Sequence, residues 1–271
     1  MVDHLVWYSG HRVPHPDRMT LGGPVSHTES AVTIVTGAAS GIGAATARCF
    51  AERGDIVVCA DRDLPGAEQV SAECGGQALQ LDVSDADACD RVVAEVLERF
   101  GHIDSLVHAA GIWEPARAEA TTTDSFDRVI DVNLKGTFLI ARAVARAMID
   151  TGTGGSMVLV GSVNSVRAGV GQLAYAASKG GVLMLGQVMA LEWAEHDIRV
   201  NVVAPGLTNT AMAAGVINEG GRGLDALMAR TPMRRSAEPS EIAETIEFLC
   251  SARASYTTGA YSVVDGGWLI D

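Results

Sequence analysis

"TGAASGIG", residues 36–43, follows the apolar run "AVTIV" and leads into "AATARCFAERG", whose pattern is helical. Three glycines between a strand-like and a helix-like stretch remove the Cβ atoms that would keep a ligand away from the backbone. Such a turn directs amide N–H groups and the positive end of the following helix outward, an arrangement suited to phosphate. Gly37, Gly41 and Gly43 give G-x-x-x-G-x-G, which is neither the G-x-G-x-x-G dinucleotide fingerprint nor a P-loop. On this stretch alone, a nucleotide site and a plain tight turn both stand.

Outward from that turn, short β-branched runs alternate with longer helical patterns, the mark of βαβ units and a parallel sheet. "AVTIVT", "DIVVCA", "QALQL", "DSLVHA", "SMVLVG", "IRVNVVA" and "AYSVVD" are seven candidate strands. Helices are expected at about Ile42–Arg53, Gly66–Cys74, Asp85–Phe100, Asp124–Asp150, Tyr175–His196 and Pro239–Ser251. Neither a linker nor a repeat interrupts the series, so the expected architecture is one doubly wound α/β domain over residues 31–271. The segment 207–237, rich in Gly, Met and Arg, follows a strand end, where open α/β sheets bind ligands, and is read as a substrate lid.

Composition narrows the function classes. The formal net charge of −13 and the lack of a basic stripe argue against a nucleic-acid partner. No apolar run approaches the ~20 residues of a membrane span. Cys49, Cys59, Cys74, Cys89 and Cys250 are odd in number and scattered, which suits buried thiols in a reducing cytoplasm better than disulfides or a zinc site. Residues 1–30 read as an extension, without the basic start and apolar stretch of a secretion signal. Their His4, His11, His15 and His27 lack metal-ligand spacing.

The second strand ends at Asp61, about twenty residues past the glycines, where a carboxylate accepts hydrogen bonds from an adenosine ribose and repels a 2′-phosphate. That points to NAD over NADP, with Arg62 partly offsetting the repulsion. "YAASK" places Tyr175 and Lys179 four apart on one helix face. An ammonium beside a phenol is expected to stabilise phenolate and lower the phenol pKa, making proton exchange with an alcohol practical. Lys135 is the only other lysine. Ser162 ends the apolar strand thirteen residues before Tyr175 and can hydrogen-bond a carbonyl or alkoxide, with Ser165 as its neighbouring competitor.

Taken in order, these motifs resemble those of the short-chain dehydrogenases/reductases, from Ala31 to about Trp268. The T-G-x-x-x-G-I-G segment is matched by Thr36–Gly43, with Ser40 and Ile42 inside it, and the Tyr-x-x-x-Lys pair by Tyr175 and Lys179. Ser162 matches the catalytic serine and Asn133 the asparagine of the tetrad. Further matches are Asp82-Val83 at the adenine, Pro205-Gly206 after the sixth strand, and "VDGG" near the C-terminus. The resemblance implies a Rossmann-type fold and a homotetramer. It also implies that Tyr175 exchanges the hydroxyl proton, Lys179 binds the nicotinamide ribose and Ser162 orients the substrate oxygen. Asn133 would hold a helix distortion and a water in a proton relay, and Thr208 would lie near the nicotinamide amide.

One departure is "HAAG", His108–Gly111, where the family carries asparagine: Ala110 and Gly111 keep the close backbone approach, but side-chain support of the central strand is in doubt. Trp113, Val166, Val170, Leu173, Leu207, Met212, Val216 and Met228 suggest an apolar, even cyclic, alcohol or ketone. Arg222, Arg230, Arg234 and Arg235 are solvated or meet a substrate anion. The leading expectation is NAD-dependent interconversion of a secondary alcohol and a ketone. The alternatives are a 3-oxoacyl thioester reductase using NADPH and a non-catalytic nucleotide-binding scaffold.

Overall fold

A computed structural model of the chain describes residues 30–218 and 228–271. The four N-terminal histidines, most of the expected extension and Arg222 lie outside the described residues. Seven strands appear where expected: β1 Val32–Thr36, β2 Ile56–Asp61, β3 Gln77–Gln80, β4 Ser105–His108, β5 Gly155–Val160, β6 Ile198–Pro205 and β7 Tyr261–Val264. They form one parallel sheet in the order β3-β2-β1-β4-β5-β6-β7.

The sequence of β1, VTIVT, is buried at every position, as a parallel strand covered on both faces requires. Its alternate residues serve different cores. Ile34 packs with Val92 and Val96 of α3 (Ala86–Phe100), Ile140 and Val144 of α5 (Gly136–Thr151) and Val182 of α6 (Leu173–Trp193). Val35 faces the opposite layer, where Ala47 and Phe50 of α1 (Gly41–Arg53), Val70 of α2 (Leu64–Cys74) and Ile242 and Ile246 of the last long helix, Pro239–Cys250, close the core. The helix starts are set locally: the Asp85 carboxylate accepts from the amides of Asp87 and Ala88 at 2.9 and 3.2 Å and so caps α3. No helix among the described residues is long and apolar enough to cross a membrane.

The helix expected over 124–150 is interrupted. It divides into α4, Thr123–Ile130, and α5, with a π-helical turn at Asp131–Lys135 between them. The turn puts Asn133 wholly inside the protein. The Thr137 hydroxyl donates to the Asn133 carbonyl at 2.5 Å, occupying a group the widened turn displaces. A further helix, α7 (Ala211–Asn218), lies in the segment read as a substrate lid; the long helix 239–250 is therefore α8.

The strand order reverses between β1 and β4, since β1 leads outward to β2 on one side while β4 begins the run to β7 on the other. The connections leaving these two strands diverge, and a crevice opens at their carboxyl ends.

Candidate active site

Gly37, at the end of β1, has φ +69°, and a Cβ there would stand 2.6 Å from the Ala110 amide nitrogen. Only glycine lets this turn and the Ala110-Gly111 turn after β4 pass so closely. At Gly43 a Cβ would fall 2.0 Å from the Gly37 carbonyl oxygen, so the first turn of α1 can fold back onto the strand end only with glycine. Beside this turn, both carboxylate oxygens of Asp61 are fixed by backbone: Oδ2 accepts from Ala39 N at 3.0 Å and Oδ1 from Asp63 N at 2.9 Å.

The structure brings all the expected cofactor-binding residues to one cavity of about 440 Å³. Asp61 and Arg62 line it at β2, and Gly37, Ser40, Gly41, Ile42 and Gly43 at β1. Asp82 and Val83 follow β3; hydrogen bonds from the Ser84 hydroxyl and amide hold the Asp82 carboxyl below its usual range. Ala110 and Gly111 line it at β4, and Pro205, Gly206 and Thr208 at β6. Thr208 is buried and its hydroxyl donates to the Gly206 carbonyl at 3.1 Å. From β2 to β6 this edge spans four strand spacings, roughly 19 Å. Open glycine backbone in the middle, a held carboxylate at one end and hydroxyls at the other fit an elongated dinucleotide.

At the β5 end, Ser162, Tyr175 and Lys179 line the same cavity. The Ser162 hydroxyl faces the Tyr175 phenol closely enough to favour its ionised form. Lys179 is buried on α6 one turn after Tyr175, and its Nζ donates to the Val160 carbonyl at 2.7 Å. Asn133 is different: it lies behind the cavity wall. Its Oδ1 accepts from Ile112 N at 2.8 Å, and its Nδ2 donates to Ile112 O at 2.9 Å and Ser178 Oγ at 3.1 Å. It stitches the loop after β4 to the π turn and α6.

The expected depression of the Tyr175 pKa is corrected. Burial pushes the phenol up, and the neighbouring Ser162 hydroxyl only partly opposes it. The Lys179 Nζ is 5.8 Å from the phenol ring centre and directed at Val160, and its own pKa is pushed down to about 8 by burial. Desolvation therefore dominates both groups.

The doubt raised by "HAAG" has a structural answer. His108 is buried at the end of β4, with Nδ1 2.8 Å from the Thr36 hydroxyl on β1, so an imidazole–hydroxyl pair joins the two strands at the crevice. Burial, with the Lys179 charge adding to it, pushes the imidazole down to about 3, so it is neutral.

The apolar pocket residues divide. Trp113, Leu207 and Met212 line the cavity, whereas Val166 and Val170 before α6 and Leu173 at its start are exposed, and Met228 is not on the wall. The Val216 side chain lies outside the described residues. Arg230 stacks on the Trp268 ring at 5.2 Å, and Arg235 pairs with Glu241. The Arg234 guanidinium donates to the Ala229 carbonyl. Sequence reasoning missed Asn164, Gln172, Thr231 and Trp268, which also line the cavity. For Gln172 a signal was present, three residues before Tyr175 and so on its helix face, and for Asn164 another, two residues after Ser162; Thr231 and Trp268 reach the site only through tertiary folding.

Comparison with known proteins agrees with this geometry. The family model described as enoyl-(acyl carrier protein) reductase matches residues 37–269. The D-threitol dehydrogenase of Mycolicibacterium smegmatis is 38% identical over 244 residues, covering 88% of this chain and 93% of that protein. The cis-4-hydroxycyclohexanecarboxylate dehydrogenase of Sinomonas cyclohexanicum is 40% identical over 247 residues, covering 88% and 96%. A 3-ketoacyl-(acyl-carrier-protein) reductase from Brucella melitensis, solved with NADH, superposes with a TM-score of 0.83 at 32% identity, covering 89% of this chain and 99% of that one. The chain belongs to the short-chain dehydrogenases/reductases and is an NAD(P)-dependent oxidoreductase that interconverts alcohols and carbonyl compounds.

Proposed function

We propose that the enzyme is an NAD-dependent dehydrogenase that oxidises a small secondary alcohol to a ketone, and reverses the reaction, at Ser162, Tyr175 and Lys179. The observation that carries this reading is the meeting of the Ser162 hydroxyl, the Tyr175 phenol and the Lys179 ammonium in the cavity that also holds the glycine turn and Asp61. A nicotinamide dinucleotide held along Asp61, Gly37–Gly43, Ala110-Gly111 and Pro205-Gly206 would supply the hydride acceptor or donor. In ketone reduction, Tyr175 gives its proton to the carbonyl oxygen while the Ser162 hydroxyl donates a hydrogen bond to that oxygen. In alcohol oxidation the Tyr175 phenolate takes the hydroxyl proton and, as phenol, passes it towards Lys179, which would hold the nicotinamide ribose. General acid–base catalysis of this kind contributes roughly 10²–10⁴ in rate. Asn133 acts by position, fixing Ile112 and the π turn against α6. Thr208, on the same cavity wall, would contact the nicotinamide amide.

Choice of NAD rests on Asp61, whose carboxylate is held in place and would repel a 2′-phosphate. Arg62 on the same wall is the observation that favours NADPH and, with it, a 3-oxoacyl thioester reductase. The relatives bear on the substrate: one is named for an acyclic polyol and another for a cyclic hydroxy acid. Trp113, Leu207 and Met212 support a compact, partly apolar substrate. The described ends of segment 207–237 reach the cavity through Leu207, Met212 and Thr231, in keeping with its reading as a lid over one catalytic domain of residues 31–271. On α6, Met184, Val188 and Leu191 form an exposed apolar stripe that supports the homotetramer, and the five free cysteines suit the cytoplasm.

Fluorescence titration with NADH and NADPH, followed by turnover of secondary alcohols and ketones in the same samples, tests the reading. Tighter NADH binding with turnover is expected. NADPH preference moves the thioester reductase to the front, and binding of either without any turnover favours the scaffold.

A further inference from the structure

Beyond the reacting centre and the residues assigned to the dinucleotide, the cavity wall carries four polar side chains, Asn164, Gln172, Thr210 and Thr231. Three are engaged. The Thr210 hydroxyl accepts from the Ala213 amide at 3.3 Å. Asn164 Nδ2 donates to the Arg167 carbonyl at 3.3 Å and its Oδ1 accepts from the Ser162 hydroxyl at 3.4 Å. Thr231 also has an interaction within the protein.

Gln172 is held on one side only. The Trp113 indole Nε1 donates to its Oε1 at 2.8 Å. Because an indole N–H can only donate, the amide oxygen must face it, and the orientation of this glutamine is fixed by chemistry. The Nε2 group, with two N–H donors, is consequently turned away from Trp113 and has no hydrogen-bond partner among the described residues. The pair is rigidly mounted, since Ala116 bridges to Gln172 and its amide donates to the Gly171 carbonyl at 3.2 Å, zipping the Trp113 loop to the start of α6. Tyr175 lies three residues further on, so both side chains leave the helix start on one face.

We propose that Gln172, aligned by Trp113, is a specificity-determining residue that donates from Nε2 to a second substrate oxygen, on the carbon next to the one oxidised. The substrate class is then vicinal diols and, in reverse, α-hydroxy ketones, with the carbon skeleton against the Trp113 and Trp268 rings. This deepens the secondary-alcohol reading and rests on it.

The test compares kcat/KM with NAD⁺ for cyclohexane-1,2-diol against cyclohexanol and for butane-2,3-diol against butan-2-ol, in the wild type, Gln172→Leu and Trp113→Phe. Each ratio is internal to one protein sample, so partial misfolding cancels. The wild type is expected to favour the diol in at least one pair. Gln172→Leu is expected to lower that ratio about tenfold, the effect of one neutral hydrogen bond. Trp113→Phe, which keeps a ring but frees the amide to turn over, should lower it by a smaller factor. A wild-type ratio at or below one in both pairs, or one that Gln172→Leu leaves unchanged, overturns the inference while the dehydrogenase reading stands. Absence of turnover with all four alcohols overturns the secondary-alcohol reading itself, and the inference with it.

Discussion

Replacing Lys179 by methionine should make the protein more stable while removing its activity. The Lys179 side chain is buried, its pKa falls from 10.5 to about 8, and desolvation is the cause. Because the folded pKa lies below the unfolded one, the penalty is fully present below about pH 8 and is relieved as pH rises from there towards 10.5. At pH 7 such a shift corresponds to about 3 kcal/mol of lost stability, and by pH 9.5 to about 1.4 kcal/mol. Methionine keeps the length of the chain without the charge but leaves the Val160 carbonyl without its donor, which costs roughly 1 kcal/mol. The net expectation for Lys179→Met is a gain of about 2 kcal/mol at pH 7, or a rise in Tm of roughly 4–8 °C for a domain of this size. Urea unfolding of both proteins at pH 7 and pH 9.5 is the assay, and the difference between the two curves cancels every other titrating group. A variant less stable than wild type at pH 7, or a difference that does not shrink by pH 9.5, would refute the reasoning that Lys179 is a destabilising, functionally retained charge.

Other consequences can be checked separately. Asp61→Ala should bring the Kd values for NADH and NADPH together by tenfold or more, as fluorescence titration would show; unchanged discrimination removes Asp61 from the account. Since burial raises the Tyr175 pKa, alcohol oxidation, which needs phenolate, should accelerate with rising pH, whereas ketone reduction, which needs phenol, should be fastest below that pKa; parallel kcat profiles in the two directions would contradict this. His108→Leu deletes the bond to Thr36 across β1 and β4 and should lower unfolding stability by about 1–2 kcal/mol. Because the folded imidazole stays neutral while the unfolded one takes up a proton near pH 6.5, that loss should be smaller at pH 6 than at pH 8, by about 0.8 kcal/mol.

The alternation of β-branched runs and helical patterns carried the seven strands and their parallel pairing, because strands covered on both faces must be apolar throughout. Local chemistry likewise marked the candidate site: glycines at a strand end, a carboxylate at the next, and a Tyr–Lys pair one helical turn apart. Features that depend on packing were out of reach. The π turn at Asp131–Lys135 adds one residue to a helical repeat, and a period of 3.6 read over the expected helix does not register it. The weight of desolvation on Tyr175 and Lys179 follows from what α6 packs against, which no local motif contains. The Trp113–Gln172 bond joins residues 59 apart in the chain, and Trp268 also comes to the cavity wall from a distant part of the chain. Val166, Val170 and Leu173 suggested an apolar substrate, yet the loop before α6 and the first residue of that helix turn them to solvent.

The central claim is that Tyr175 exchanges the substrate proton in a site that binds NAD. Its most direct test is Tyr175→Phe, followed by nicotinamide absorbance for turnover and by fluorescence for NADH binding. The account predicts NADH affinity within a fewfold of wild type and turnover reduced by roughly 10²–10⁴ in both directions. Turnover that survives the loss of this one hydroxyl would contradict it.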